Sequence, residues 1–257
     1  MKMLIIIAAL FSVLLYSCKK TIDVNLNSST SRYVITGDVT DQPGPYIVRI
    51  SKSVDYDQRN SFPPVSGAEV YIIDLTLSHT DTLTELYPGT YQTHLLKGLP
   101  GHTYCLKIIS GDETFSSTAT MPMAISIDSL YTKDATFGDG TDIVALYNDP
   151  AGTRNFYRLL LTIKDSLSQE IYVHSDDIPG GSLVTHTLRN DIEVFAGDTI
   201  TVRLQCIDED VYKYFYDLRQ TVEQNSSTLS NPQTNIKGNA LGYFSAHTVR
   251  EKKMVAP

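Results

Sequence analysis

Of the residues able to carry covalent chemistry, the three cysteines, Cys18, Cys105 and Cys206, stand in different settings. Cys18 closes the segment Leu15-Tyr16-Ser17-Cys18, at the end of an apolar run from Leu4 to Leu15 that follows Met1 and Lys2. A Leu three residues before, a small Ser just before and the Cys itself make a bacterial lipobox, whose thiol takes a diacylglycerol; Tyr16 stands where a small residue is usual. A helix of about thirteen residues reaches only some 20 Å, short of a hydrocarbon core of about 30 Å. Residues 1–17 therefore read as a signal peptide removed from the mature chain. Cys18 reads as the lipidation site, and several acyl chains together make a stable membrane anchor.

The other candidates are weaker. Cys105 and Cys206 each lie in an apolar, strand-like run, so they read either as buried free thiols or as a bridge between two halves of the chain in an oxidising envelope compartment. Neither belongs to a CxxC or Cys/His spacing, which leaves zinc and redox chemistry without support. His79, His94, His102, His174, His186 and His247 are scattered singly and read as surface or turn residues. No HExxH or GxSxG is present, and no nucleophile is seen paired with a base. The expectation is a non-enzymatic protein with no cofactor and no metal. Asp139-Gly140-Thr141-Asp142, with Asp134 upstream, lacks the alternating acids and distal Glu of a calcium loop and reads as a hairpin turn. Asp176-Asp177-Ile178-Pro179-Gly180-Gly181 reads as a solvated turn. Four Asp-Ser/Thr-aliphatic triplets, beginning at Asp81, Asp128, Asp165 and Asp198, suit either strand entry or O-glycosylation.

What must position these residues is mostly β structure. The chain has 257 residues, 42% hydrophobic and 19% charged, enough to bury a core, and its net charge of −8 gives no basic patch for nucleic acid. After a polar tether at 18–31, short runs rich in β-branched and aromatic residues alternate with Gly, Pro, Asn and Asp. Strands are expected at Tyr33–Asp38, Tyr46–Lys52, Glu69–Asp74, Thr82–Leu86, Gly89–Leu95, Thr103–Ile109 and Thr114–Thr120, a spacing that suggests a β-sandwich over 32–122. A second β domain is expected over 123–257, with its clearest strands at Asn155–Lys164 and Thr199–Ile207. One helix is expected near 208–224, where Val211, Phe215, Leu218 and Val222 form an apolar stripe and Asp208-Glu209-Asp210 suit a helix start. It is expected to cover an open end of the second sandwich. Tyr212, Tyr214 and Tyr216 on that helix serve either packing or ligand anchoring.

The segments Pro64-Val65-Ser66-Gly67-Ala68-Glu69-Val70, Tyr87-Pro88-Gly89-Thr90-Tyr91 and Leu99-Pro100-Gly101-His102-Thr103-Tyr104 resemble the prealbumin-like or carboxypeptidase-regulatory-like, Ig-like β-sandwich. A wider resemblance joins the lipobox Cys and Thr21-Ile22-Asp23-Val24-Asn25-Leu26 to Tyr33-Val34-Ile35-Thr36-Gly37, the acidic helix start, and Asn235-Ile236 through Leu241-Gly242-Tyr243-Phe244. Over nearly the whole chain these look like the Bacteroidota lipoproteins grouped as domain of unknown function 4249, with Asn239 standing where another Gly is expected. That resemblance implies an outer-membrane lipoprotein, on the periplasmic or the surface face, encoded beside TonB-dependent receptors. Its expected partners are the membrane, through the lipid on Cys18, and a TonB-dependent receptor or its substrate. The loops Val54–Pro64 and Asn225–Asn239 are the expected contact surface; a structural or adhesive envelope role is the alternative.

Overall fold

The computed structural model describes residues 30–54, 61–135, 140–176, 181–189, 192–223 and 231–257. The signal peptide, Cys18, the tether up to residue 29, residues 55–60 and 225–230 of the two expected contact loops, and Asp139 of the expected hairpin turn lie outside the described residues.

Two-residue periodicity builds the first sandwich. In β1 (Tyr33–Thr40) the residues Tyr33, Ile35, Gly37 and Val39 are buried and those between them half-exposed. β2 (Ile47–Lys52), β6 (Thr90–Gln92) and β5 (Thr84–Tyr87) follow in the order β1-β2-β6-β5. The other sheet runs β4 (His79–Thr82), β3 (Glu69–Asp74), β7 (Thr103–Ser110), β8 (Glu113–Thr120). Ile35, Val48, Ile50 and Tyr91 of the first meet Val70, Ile72, Leu106 and Phe115 of the second in one core. The expected strand Thr82–Leu86 is two strands. The chain changes sheet at the buried Leu83, so β4 and β5 pair with different neighbours.

The second sandwich sets β9 (Ile127–Asp134), β10 (Thr141–Asp149) and β14 (Ser182–Leu188), in the order β14-β10-β9, against β11 (Phe156–Ile163) and β15 (Thr199–Ile207). Short strands β12 (Ser166–Leu167) and β13 (Tyr172–Ser175) both pair with β11. Leu159, Leu161, Val202 and Leu204 pack against Ile143, Ala145 and Leu188. Thr141 faces Asp134 across the β9–β10 ladder, and Ala135 N–H donates to Gly140 O at 3.0 Å, as a hairpin requires.

One strand belongs to both halves. β16 (Leu241–Val255) lies parallel to β1, from Val34 opposite Leu241 to Thr40 opposite His247, and continues antiparallel to β15, from Cys206 opposite Thr248 to Thr199 opposite Val255. It fuses the two inner sheets into one. Gly242 makes the close approach possible: its φ is +97°, and a Cβ there would lie 1.9 Å from the Ile35 carbonyl oxygen. Asn239, at φ 61°, adopts the left-handed conformation that Asn tolerates without the glycine expected there. Ile236, Ala240, Phe244 and Ala246 complete the first core. The chain beyond residue 122 is thus not a separate second unit: its last strand supplies the partner that the free edge of β1 needs.

Helix α1 (Glu209–Val222) begins where Asp208 Oδ1 accepts the Val211 N–H at 2.9 Å. Val211 and Phe215 pack on Phe156, Val173 and Ile207. These side chains lie on the outer face of the β11-β13-β15 sheet, so the helix covers that face rather than an open end. Val222, expected to close the stripe, is 63% exposed.

Candidate binding site at the junction

A pocket of about 450 Å³ opens where three chain segments converge. Pro122, Met123 and Ile125 come from the link between the sandwiches, Pro150 to Tyr157 from the β10–β11 turn, and Cys206 to Glu209 from the passage of β15 into α1. Proline and the turn geometry hold the walls, and Met123, 70% exposed, stands at the rim. The Arg154 guanidinium lies 5.0 Å from the centre of the Phe156 ring and 3.8 Å from Glu209, bringing both charges to one mouth. Burial pushes the Asp208 carboxyl up to about 6, outweighing the Val211 N–H that favours its charge. Burial also raises the Cys206 thiol, which makes it a poor nucleophile. The chemistry on offer is adsorption of an apolar body with a polar or charged end.

Behind the pocket floor, the Tyr157 hydroxyl donates to Asp149. Asp149 and Asp176 are only 2% and 8% exposed. Burial raises Asp149, Tyr157 lowers it, and the neighbouring Asp176 raises it again, for a net upward shift. The fully buried Tyr147 packs edge-on against Tyr157, ring centres 5.1 Å apart. Asp176 is therefore not the solvated turn residue expected; Asp177 to Gly180 lie outside the described residues.

Nor are all the histidines surface residues. His247 is 4% exposed, held by Gln205 and Ser245 at 2.9 Å each, and burial lowers it to about 4. It lies 3.9 Å from Asp38, which burial pushes up to about 6 against the pull of Arg158 and Arg49, although 43% of the Asp38 side chain reaches solvent. Arg158, stacked 3.7 Å from the Phe215 ring centre, completes a polar seam under β16. His174 and His186 meet with ring centres 5.9 Å apart, and burial, followed by the charge of His174, lowers His186 to about 4. Sequence spacing hid the pairings of His247 with Gln205 and Asp38, and of His174 with His186, because each partner sits on a different strand. His102 and His94 pair with Asp74 and Asp81 at 2.8 and 3.4 Å.

Among the described residues, no three His, Cys, Asp or Glu side chains converge as a metal site, and no helix is long and apolar enough to cross a membrane. Cys105 and Cys206 are free thiols; Cys206 belongs to the second core. Two of the four triplet acids are committed to structure: Asp81 accepts the N–H groups of His94, Leu95 and Leu96, and Asp198 that of Phe195. The expected contact loops also differ. Asn235 exchanges two hydrogen bonds with the Phe244 backbone, at 3.0 and 2.7 Å, so the described part of Asn225–Asn239 is laid along β16 rather than free. In the other loop, Phe62 is 54% exposed. On the helix, Tyr212 packs on Phe156 and Tyr214 on Tyr243, while Tyr216 is 39% exposed.

A family described as "Domain of unknown function (DUF4249)" matches residues 19–253. No curated protein matches the chain.

Proposed function

The chain belongs to the DUF4249 family, and on that premise we propose that it is a Bacteroidota lipoprotein, held at the outer membrane by the lipid on Cys18, that binds rather than catalyses. It serves a TonB-dependent transporter, either by docking on the receptor or by capturing what the receptor imports. The observation that carries the reading is the junction pocket. It has fixed apolar walls, an Arg154–Glu209 pair at its mouth and a thiol kept in its unreactive form, features that suit retention of a ligand or a partner's side chain and not bond making. The lipobox residues and the prealbumin-like strand motifs of the first sandwich support the envelope setting.

The test is affinity purification of the native, detergent-solubilised protein, beside a Cys18→Ala form and a Met123→Glu form that places a charge at the pocket rim. A TonB-dependent receptor is expected with the native protein and depleted with both variants. Absence of any receptor, under conditions that preserve known envelope complexes, overturns the transport role. Equal recovery with Met123→Glu moves the contact away from the pocket.

A further inference from the structure

We propose that the sheet edge carrying Phe62, Leu86 and Tyr87 lies against the lipid bilayer, with phospholipid headgroups and the upper acyl chains as its partner. The inference rests on the anchor at Cys18 and adds the face by which the anchored domain meets the membrane.

Phe62, Leu86 and Tyr87 are 54%, 44% and 64% exposed. They come from two segments that β2 holds side by side. Ile50 N–H donates to Gly89 O at 2.8 Å, Lys52 N–H to Pro63 O at 2.8 Å, and Val65 N–H to Ile50 O at 3.0 Å. A Cβ on Gly89 would stand 2.9 Å from the Pro64 Cβ, so the two segments abut. The result is an aromatic and aliphatic edge, the composition that sits well at a headgroup boundary, where rings present apolar area with a polar tip.

The chain's path selects this edge. Tyr33 opens β1 opposite Lys52, Ser53 N–H donates to Arg32 O at 2.8 Å, and the Ser31 hydroxyl donates to Ser53 O at 2.7 Å. The segment leading back to Cys18 therefore leaves the fold beside Lys52, Ser53 and Pro63. The thirteen residues 18–30 can span no more than about 45 Å, and that span starts from this end of the sandwich. A second exposed apolar group, Leu75, Leu77 and Leu95, lies at the opposite end, beyond Asp74 of β3, and has no such connection.

Charge agrees with an edgewise approach. Lys52 Nζ lies 3.1 Å from the centre of the Tyr33 ring. Glu85, next to Leu86, turns its carboxylate onto the Gly67 and Gly89 N–H groups, 2.9 Å each, so it presents little bare charge. Asp112 and Glu113, exposed in the β7–β8 turn at the same end, belong to the facing sheet. The domain thus tips onto its β5–β2 edge, with that acidic corner raised.

The chain contains no tryptophan, so a single Tyr87→Trp reports this edge alone, with Phe62→Trp as a second reporter and Leu77→Trp marking the far end. The lipidated protein is placed in phosphatidylethanolamine–phosphatidylglycerol vesicles containing lipids brominated at the top of the acyl chains. Residues at the boundary, about 5–10 Å deep, are expected to lose half or more of their emission and shift to the blue, in both Tyr87→Trp and Phe62→Trp, with Leu77→Trp unchanged. Unquenched emission from both edge reporters in protein whose mass includes the lipid overturns the proposal and leaves the anchor standing. A mass without lipid overturns the anchor, and this inference with it. A blue shift that needs no vesicles and grows with protein concentration assigns the edge to a second copy of the chain and also overturns it.

Discussion

The two sandwiches share an alternating pattern and a strand, yet Asp74 and Asp81 of the first and Asp149 of the second, all buried, are settled in opposite ways. In the first, burial alone would raise Asp74 and Asp81. Asp74 is answered by His102 and the N–H groups of Leu77 and Thr76, Asp81 by those of Leu95, Leu96 and His94, and both end below the usual range. In the second, Asp149 meets another acid, and it ends above that range. Carboxylates that accept several N–H bonds act as ties for loops. An acid set against an acid in a dry interior holds a proton instead, and costs stability when that proton leaves. These ties fix the first sandwich at the end away from the chain's entry, and the second keeps its electrostatic strain one tyrosine behind the pocket.

The most severe way to break the comparison is to remove what joins the halves. Gly242→Ala places a methyl group against the Ile35 carbonyl at a backbone φ of +97°. A loss of at least about 3 kcal/mol is expected. Chemical denaturation should show it, and because β16 pairs with β1 and β15 alike, both halves should unfold at lower denaturant together. Separate transitions, with the second sandwich unchanged, would show that the shared strand does not couple them.

Asp81→Ala tests the tie. It strands three backbone N–H groups that now donate to one carboxylate, and a cost of about 2 kcal/mol is expected. Thermal melting measures it, and hydrogen exchange should localise the new opening to residues 94–96. An unchanged melting temperature would mean that water replaces the carboxylate at no cost and that the first sandwich is not held in this way.

How much of this was readable beforehand follows the range of the forces involved. Strands with one wet face, such as β1 and β11, declared themselves by alternation, and α1 by its stripe and its acidic start. β10 did not: Ile143, Val144 and Ala145 are buried in succession, so the two-residue period vanishes. Nor did the sheet change at Leu83, because Thr82 to Leu86 reads as one run whichever sheet it pairs with. The sharing of β16 is a long-range pairing between the two ends of the chain, and no local pattern encodes it. The pocket was legible only in pieces. Asp208-Glu209-Asp210 stood out as a helix start, but nothing in its spacing placed Asp208 and Glu209 around one opening with Pro122 and Arg154.

Cys206 and Cys105 sharpen the contrast at a smaller scale. Cys206 is 3% exposed in the second core, whereas Cys105 is half-buried on the outer face of β7. Replacing each with Ser should cost about 1–2 kcal/mol at Cys206, where the smaller hydroxyl fills the buried site less well, and less than about 0.5 kcal/mol at Cys105. Maleimide labelling of the native protein should reach Cys105 and spare Cys206 until the chain unfolds. Equal labelling rates would mean that the second core opens as readily as the surface of the first.

The finest test concerns the sign of a pH dependence. Asp149 has its folded-state pKa raised, so the folded state binds its proton more tightly than the unfolded chain does. Its contribution is therefore most favourable below the ordinary carboxylate range and declines as pH rises through the raised folded value. Asp74 and Asp81, with lowered values, contribute stability above the ordinary range and lose it as pH falls through their depressed values. Asp149→Asn keeps an acceptor for the Tyr157 hydroxyl and removes the titration. It should raise stability by about 1 kcal/mol at pH 7, and the gain should shrink as pH falls toward 4. Urea midpoints across that interval measure the difference between the two forms. If it stays constant with pH, the Asp149–Asp176 pair is not the source of strain in the second sandwich; if it grows as pH falls, Asp149 is tied in the manner of Asp81 and the electrostatic contrast between the halves disappears.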